Sequence, residues 1–441
     1  MAEGRTGAAG TLRHELPRLP GPVRFLLLSS FLIPLGSFMV LPFMSVFLHE
    51  RLGMGLGTVG WVLAVASLVQ FSGSVLGGAL AERAGLRRTM IWALVIRCAG
   101  FLGFLAALRW PPLAVPALVL TCCGAALYLP ANKAYLVHGV DEARRPLFLS
   151  VGNAALNAGM ALGPLIAGPF VLSAPGALFC AVVAVFLAVT AGHLRLPPEP
   201  GSGQREPGGA DRAGGGTSEV PGAAAAVPPA AAPGRAGGGG LGGVLRGVRP
   251  LPFAATALAF HLYFFFQHYL AVFAVARAST TFYSLVLLTC FALVIVGQPP
   301  AAGWIGRLPY ARALVLGFAL LAAGLAVLSA GSHAAVLAGA VLITAGDIVL
   351  FLRNDLEALA RSPRSDAVVF GQQRLAAGIG AFTSGVLGGQ LYRLADDAGN
   401  TGLFWLAAAA QCVLLPPLLL LVARGSGKGG SDHAEGTVAT R

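Results

Sequence analysis

The chain has 441 residues, 56% of them apolar and only 11% charged, with 30 Lys and Arg against 18 Asp and Glu, a formal net charge of +12 and a mean hydropathy of +0.76. Soluble domains carry roughly 25% charged residues, so the composition excludes an ordinary water-soluble enzyme or binding module. A porin-like barrel is excluded too, because its strands would be ~10-residue alternating segments, and the basic excess reflects membrane topology rather than nucleic-acid binding.

A spanning helix needs ~20 apolar residues. Twelve such runs lie near Phe25–Leu48, Val59–Ala81, Met90–Leu108, Leu113–Lys133, Leu147–Leu172, Gly176–Leu194, Phe253–Val275, Phe282–Trp304, Ala313–Ala330, Ala334–Leu352, Val368–Tyr392 and Thr401–Val422. Between Arg195 and Pro250 the pattern gives way to Gly, Ala and Pro with scattered Arg. Such a stretch cannot bury a core and reads as a disordered cytoplasmic linker. The expected organisation is therefore a tail over 1–22, a six-helix bundle over 23–194, the linker over 195–250, a second six-helix bundle over 251–423 and a tail over 424–441. The fold class is all-α integral membrane.

Basic residues orient the chain. With both termini in the cytoplasm, only Arg51, Arg109, Arg277 and Arg393 fall in loops on the opposite side, and Arg97 and Arg374 lie inside spans. The other Lys and Arg are cytoplasmic, as the positive-inside rule requires, and should meet anionic lipid headgroups there. Only Lys133 and Lys428 are lysines. That Arg, Ala and Gly excess points to a GC-rich bacterial genome and so to a bacterial plasma membrane. The six cysteines (Cys98, Cys122, Cys123, Cys180, Cys290, Cys412) fall in apolar spans without metal-ligand spacing. No metal and no cofactor is expected.

The two sets of spans share internal similarity. Gly159, Gly163, Ala167 and Gly168 in the fifth span line up with Gly380, Ser384, Gly388 and Gly389 in the eleventh. Gly124 and Asn132 in the fourth match Gly346 and Asn354 in the tenth, and Gly73 and Arg83 match Gly297 and Arg307. The common order implies a duplication.

Two motifs stand out. The segment from Gly78 to Arg88 joins the second and third spans and packs Glu82, Arg83, Arg87 and Arg88 between glycines. Gly78 and Gly85 permit close helix approach and a tight reversal. This segment resembles the signature loop of the major facilitator superfamily, Gly-x-Leu-Ala-Asp-Arg-x-Gly-Arg-Arg, with Glu82 for Asp and Leu86 for the first of the basic trio. The resemblance implies two bundles related by a pseudo-twofold axis. It also implies a gating role for Gly78, Glu82, Arg83, Gly85, Arg87 and Arg88 as a latch on the cytoplasmic side, with Glu82 near the start of the eleventh helix.

The second motif is Gly159, Gly163, Pro164 and Gly168 in the fifth span. It resembles the Gly-x3-Gly-Pro-x2-Gly-Gly of the superfamily's proton-driven drug exporters, with Ala167 for one glycine. Small residues four apart let another helix approach closely, and Pro164 bends its helix. A plain packing face is the other reading. These exporters also carry an arginine in the fourth span, where Leu118 stands here, so coupling must use other groups or be absent.

Polar residues inside spans are costly there. Asp347 is the one carboxylate well inside a span. It lies in the tenth helix, one of four (1, 4, 7 and 10) that line the cavity in this superfamily. A carboxyl in apolar surroundings holds its proton more tightly than in water, which suits a proton-coupling group. The other reading is a structural ion pair with Arg353 or Arg374. In the seventh span His261, Phe264, Phe265 and His268 follow i, i+3, i+4, i+7 spacing and share one face, with Gln267 beside them. His261 and His268 are candidate proton carriers, and Phe264, Phe265 and Gln267 candidate substrate-cavity residues, or they pack as hydrogen-bonded core. Arg374, aligned with Asn153 and with Asn157 one turn further, can bind an anionic group, hold Asp347 or snorkel to the cytoplasmic surface. Lys133 and Asp355 occupy nearly matching places at inner helix ends and form a candidate gate pair. Arg97 is read as structural, because the third helix is peripheral in the family.

The function expected from the resemblance and the lone buried acid is proton-coupled export of a small hydrophobic or drug-like molecule by a monomer, with alternating access. The alternatives are a metabolite uptake symporter and a non-transporting sensor or scaffold on the same fold. No catalytic triad, phosphate loop or metal constellation points to an enzyme.

Overall fold

The computed structural model describes residues 21–136, 145–197, 247–362 and 366–428, all in helices and short connections, with no strand among the described residues. Most of the expected linker and most of both expected tails lie outside the described residues. The first six long helices are α1 (Gly21–Phe38), α2 (Leu56–Ala84), α3 (Leu86–Ala107), α4 (Ala114–Leu136), α5 (Arg145–Ala167) and α6 (Pro175–Leu194). The second six are α7 (Pro250–Arg277), α8 (Thr280–Arg307), α9 (Tyr310–Leu328), α10 (His333–Arg361), α11 (Asp366–Asp397) and α12 (Gly402–Lys428). Among the described residues ten helices are long and apolar enough to cross a membrane, and Val151–Ala167 is a shorter apolar helix. The protein is a multi-pass membrane protein. The side on which α1 begins and α12 ends is the terminal side, and the opposite one the distal side.

The apolar runs fold as helices because a backbone in lipid must satisfy its hydrogen bonds internally. Small hydroxyl residues are absorbed by bonding back one turn. Ser30 Oγ donates to Leu26 O at 2.9 Å and Thr344 Oγ1 to Ala340 O at 2.8 Å. Large apolar side chains such as Leu76, Trp92, Val296 and Val413 point outward, toward the lipid of a bilayer.

Helix boundaries depart from the apolar runs where local chemistry decides them. The first run does not stay one helix: α1 ends at Phe38, and short helical turns follow from Leu41 to Arg51. Pro42 cannot donate to the ladder and clashes with the carbonyl four residues back. α10 continues nine residues past Leu352, because Arg353 and Glu357 (3.1 Å) and Glu357 and Arg361 (2.5 Å) pair one turn apart along its polar end. α8 and α10 begin earlier than their runs, where Ser279 and Ser332 cap them by accepting from the backbone N–H groups of Phe282 and Ala335.

The two sets of six pack alike. α1 lies on α5, α2 on α4, and α3 on α4 and α6; correspondingly α7 lies on α11, α8 on α10, and α9 on α10 and α12. The bundles meet through α2 with α11 and α5 with α8, pairs that a twofold exchange of the halves interchanges. Both seams are tight at the distal side. A Cβ on Gly60 of α2 would strike the Gly385 carbonyl of α11 and come within 2.8 Å of Gly389 Cα. Ser284 Oγ of α8 donates to Pro164 O of α5 at 2.7 Å, and Tyr283 OH donates to Pro42 O at 3.1 Å.

Candidate functional site

A cavity of about 520 Å³ lies between the bundles. Its lining runs from Pro42 and Met44, under the distal seams, to Lys133, Asp355 and Gln373 at the terminal-side ends of α4, α10 and α11. Most of the wall is apolar, which is the usual make-up of a small-molecule site.

The first-bundle wall is hydrogen-bonded and basic. Arg97 of α3 crosses to the cavity over Gly124 of α4, where any Cβ would collide with its Cγ. The guanidinium donates from Nη2 to Ser37 Oγ at 2.5 Å, its Cζ lies 5.0 Å from the Phe186 ring, and its buried Nε has no hydrogen-bond partner. Tyr128 OH donates to Asn132 Oδ1 at 3.2 Å and is 3.1 Å from His193 Nε2, while Asn132 Nδ2 donates to Ser30 Oγ. Asn153 and Asn157 of α5 line the cavity, and Asn157 Nδ2 donates to Asn153 O at 2.9 Å. Arg97, read from the sequence as structural, does bind α1 and α6 through Ser37 and Phe186, and its side chain also reaches past α4 to line the cavity.

The second-bundle wall is aromatic and acidic. Asp347 is 5% exposed and lines the cavity with Oδ1 unbonded. It takes neither of the arginine partners considered from the sequence. Arg353 is held by Glu357 and by Leu308 O, and Arg374 lies within electrostatic range of Asp355. Tyr263 and Cys290 lie within electrostatic range of Asp347, and Gln267 Nε2 donates to Tyr263 OH. Phe260 stacks on Phe351 with ring centroids 4.5 Å apart and on Phe264 at 6.3 Å, and Phe71 of α2 meets Phe260 and Phe264 edge-on.

The shared face expected on α7 divides. Phe264 and His268 line the cavity, with Ser67 Oγ of α2 3.2 Å from His268 Nε2 across the bundle interface. His261 instead bonds Thr383 of α11 at 2.9 Å and Gln411 of α12 at 3.0 Å, and Phe265 is buried against Phe404 of α12. Spacing i, i+3, i+4, i+7 spreads the four residues over ~100° of a helix. α7 is packed on several sides, so its cavity edge falls within that arc. His261 and Phe265 lie outside the cavity wall.

At the terminal-side mouth Lys133, Asp355 and Arg374 all line the cavity. Arg374 lies within electrostatic range of both of the others, and its Cζ is 5.8 Å from the Phe71 ring. Arg374, which the sequence does not place with the expected pair, lies at the same mouth and is the residue that each of the other two faces electrostatically. Of the loop motif, Gly85 makes the reversal with φ +91°, and its N–H closes α2 on Ala81 O. Arg87 Nη2 donates to Leu194 O of α6 at 2.5 Å, and Arg83 and Arg88 are exposed. The side chain of Glu82 lies outside the described residues. Gly78 faces open space, whereas a Cβ on its neighbour Gly77 would lie 2.5 Å from Ala126 O of α4. The close approach expected at Gly78 is therefore made one residue earlier. The helix-5 motif divides as well. Gly159 and Gly163 seat α5 on α1, while Pro164 and Gly168 meet α8 of the other bundle. Among the described residues no cluster of three metal-ligating side chains is found.

Two relatives share part of the chain. Multidrug resistance protein MdtH of Cronobacter sakazakii is 33% identical over 168 residues, 38% of this chain and 41% of that protein. The protein of the same name from Aeromonas hydrophila is 30% identical over 196 residues, 41% of this chain and 48% of its own length. The chain thus matches less than half the length of these relatives. Two solved structures share the fold. An auto inhibited POT family peptide transporter superposes with a TM-score of 0.69 at 16% identity, over 92% of this chain and 97% of that one. The nucleoside transporter NupG superposes with a TM-score of 0.66 at 12% identity, over 91% and 99%. The family model of the Major Facilitator Superfamily matches residues 26–352. With two like-packed six-helix bundles around one central cavity, the chain belongs to the Major Facilitator Superfamily.

Proposed function

We propose that the protein is a secondary active transporter that exports a small hydrophobic or drug-like molecule in exchange for protons. The carrying observation is a carboxyl group, Asp347, buried without a partner for Oδ1 in an apolar cavity between two bundles. Among the described residues no ion pair holds Asp347 and its Oδ1 has no partner, so its charge state depends on what the cavity holds. The family and the relatives' names support a membrane transporter rather than an enzyme.

In this reading both termini are cytoplasmic, by the distribution of Lys and Arg, in the plasma membrane of a bacterium. The distal seams then seal the outer side, and the cavity belongs to an inward-facing state. The two bundles are joined by the cytoplasmic linker over 195–250 and rock about the α2–α11 and α5–α8 seams. The glycine and arginine loop, from Gly78 through Glu82 and Arg83 to Arg88, acts with Lys133, Asp355 and Arg374 at the inner gate. His268, bonded across the interface to Ser67, relays between cavity occupancy and bundle position. The carrier works as a monomer.

The test is proton flux in everted vesicles challenged with lipophilic cations, organic acids, antibiotics and dyes, wild type beside Asp347→Asn. Substrate-triggered proton efflux in wild type alone is the expected result. Equal flux in the variant removes Asp347 from the coupling. Substrate accumulation in intact cells favours an uptake symporter, and binding without movement favours a sensor.

A further inference from the structure

We infer that the cavity binds an amphipathic aromatic acid, its carboxylate at Arg97 and its ring system on the Phe260–Phe351 stack. The inference rests on the reading of this cavity as the substrate site and assigns the chemical class it takes.

Arg97 is 4% exposed, yet it lines the cavity and forms no ion pair with a carboxylate among the described residues. Its guanidinium donates to one serine oxygen and lies over the face of one phenylalanine, and Nε has no acceptor. A guanidinium cannot discard its charge, so a desolvated one without a counter-ion favours an anion beside it. Asp347 is different in kind, because a carboxyl can bind a proton and become neutral. The remaining charges in the wall do not reverse this. Lys133 and Arg374 are basic, and Asp355 lies with Arg374. The fixed charge of the cavity is positive.

The opposite wall supplies the other end of the ligand. Phe260 and Phe351 lie nearly parallel, 24° apart, with Phe264 and Phe71 beside them, and all four line the cavity. Such a surface takes an aromatic ring by offset stacking or edge contact. The ligand class that satisfies both walls at once is a flat aromatic body bearing one acidic group.

Equilibrium binding to the full-length protein in lipid nanodiscs tests this with three probes of matched size: 2-naphthoate, 2-naphthamide and 2-naphthylmethylamine. Wild type is expected to bind naphthoate about tenfold to a hundredfold more tightly than the amide, the range for one charge-assisted hydrogen-bonded contact. Arg97→Gln should erase that preference and Arg97→Lys retain part of it, while Phe260→Leu weakens acid and amide alike. Thermal unfolding verifies each variant; if Arg97→Gln does not fold, the wild-type ranking and Arg97→Lys decide. Equal binding of acid and amide, preference for the amine, an acid preference that survives Arg97→Gln, or no naphthoate binding at millimolar concentration each overturns the inference. Acid-selective binding without vesicle transport upholds it and sinks the carrier reading. Transport without acid selectivity does the reverse.

Discussion

The two bundles repeat one packing scheme and then diverge at the cavity. In the first, Gly124 of α4 receives Arg97 of α3; at the matching place in the second, Gly346 of α10 receives Leu321 of α9. The residue after Gly346 is Asp347, and the residue after Gly124 is Ala125, which also faces the cavity. Asn132 and Asn354, also a matching pair, each accept a hydrogen bond from a buried tyrosine, Tyr128 at 3.2 Å and Tyr310 at 2.9 Å. The packing of helix on helix is kept between the halves, while the tyrosine bond lies within α4 in the first half and joins α9 to α10 in the second. Residues that only face the cavity are free to change, so one half carries a fixed cation and the other an acid.

Exchanging residues between matching places probes that division. The largest effect is expected from Asp347→Ala, which gives the second bundle the residue of the first: substrate-driven proton flux in everted vesicles is lost, while the folded protein persists in the membrane. A coupled flux that survives would place the coupling group elsewhere. Arg97→Leu gives the first bundle the residue of the second. Exchange of an uncompensated buried charge for an apolar side chain leaves thermal stability unchanged or raises it by ~1–4 kcal/mol; a clear loss would make Arg97 a structural staple.

The seam between the halves comes next. Gly60→Ala forces a methyl group into the Gly385 carbonyl and should destabilise by ~1–3 kcal/mol, the usual range for overpacking. Gly78→Ala, where the space is open, should show no loss, a contrast readable in one thermal unfolding series. The smallest effects are Tyr310→Phe and Tyr128→Phe, each removing a hydrogen bond worth ~1 kcal/mol. Tyr128 also lies within hydrogen-bonding distance of His193, so its replacement should be the more damaging of the two. A reversed order would show that the matching asparagines are not held alike.

The candidate site was legible in the sequence where a residue had to be exceptional on its own. Asp347 stands out because a carboxylate in an apolar run needs a reason to be there, and Lys133 and Asp355 because they punctuate the ends of such runs. What failed was direction. Periodicity placed His261 with His268 on one arc of α7, but the cavity edge cuts that arc, and the partners that claim His261 come from α11 and α12. Arg97 was visible as a charge in a span, yet its reach depends on a glycine in another helix. Gly77 and Gly78 are indistinguishable as letters; only the approach of α4 separates them.

By itself the sequence determined the membrane-embedded helical class, the number and order of the long helices, and the superfamily through its loop and helix-5 motifs. Each of these follows from local rules: the length of an apolar run, the geometry of a glycine turn, the hydrogen bonds a backbone must make in lipid. Only the tertiary structure decided which side chains meet in the cavity, that its two walls differ in charge and aromaticity, and that Arg374 joins Lys133 and Asp355 at the mouth. Those contacts form between helices distant in the chain, and a rotation of one helix by less than half a turn, which no local pattern records, would exchange the residues that face the cavity for those that face the core.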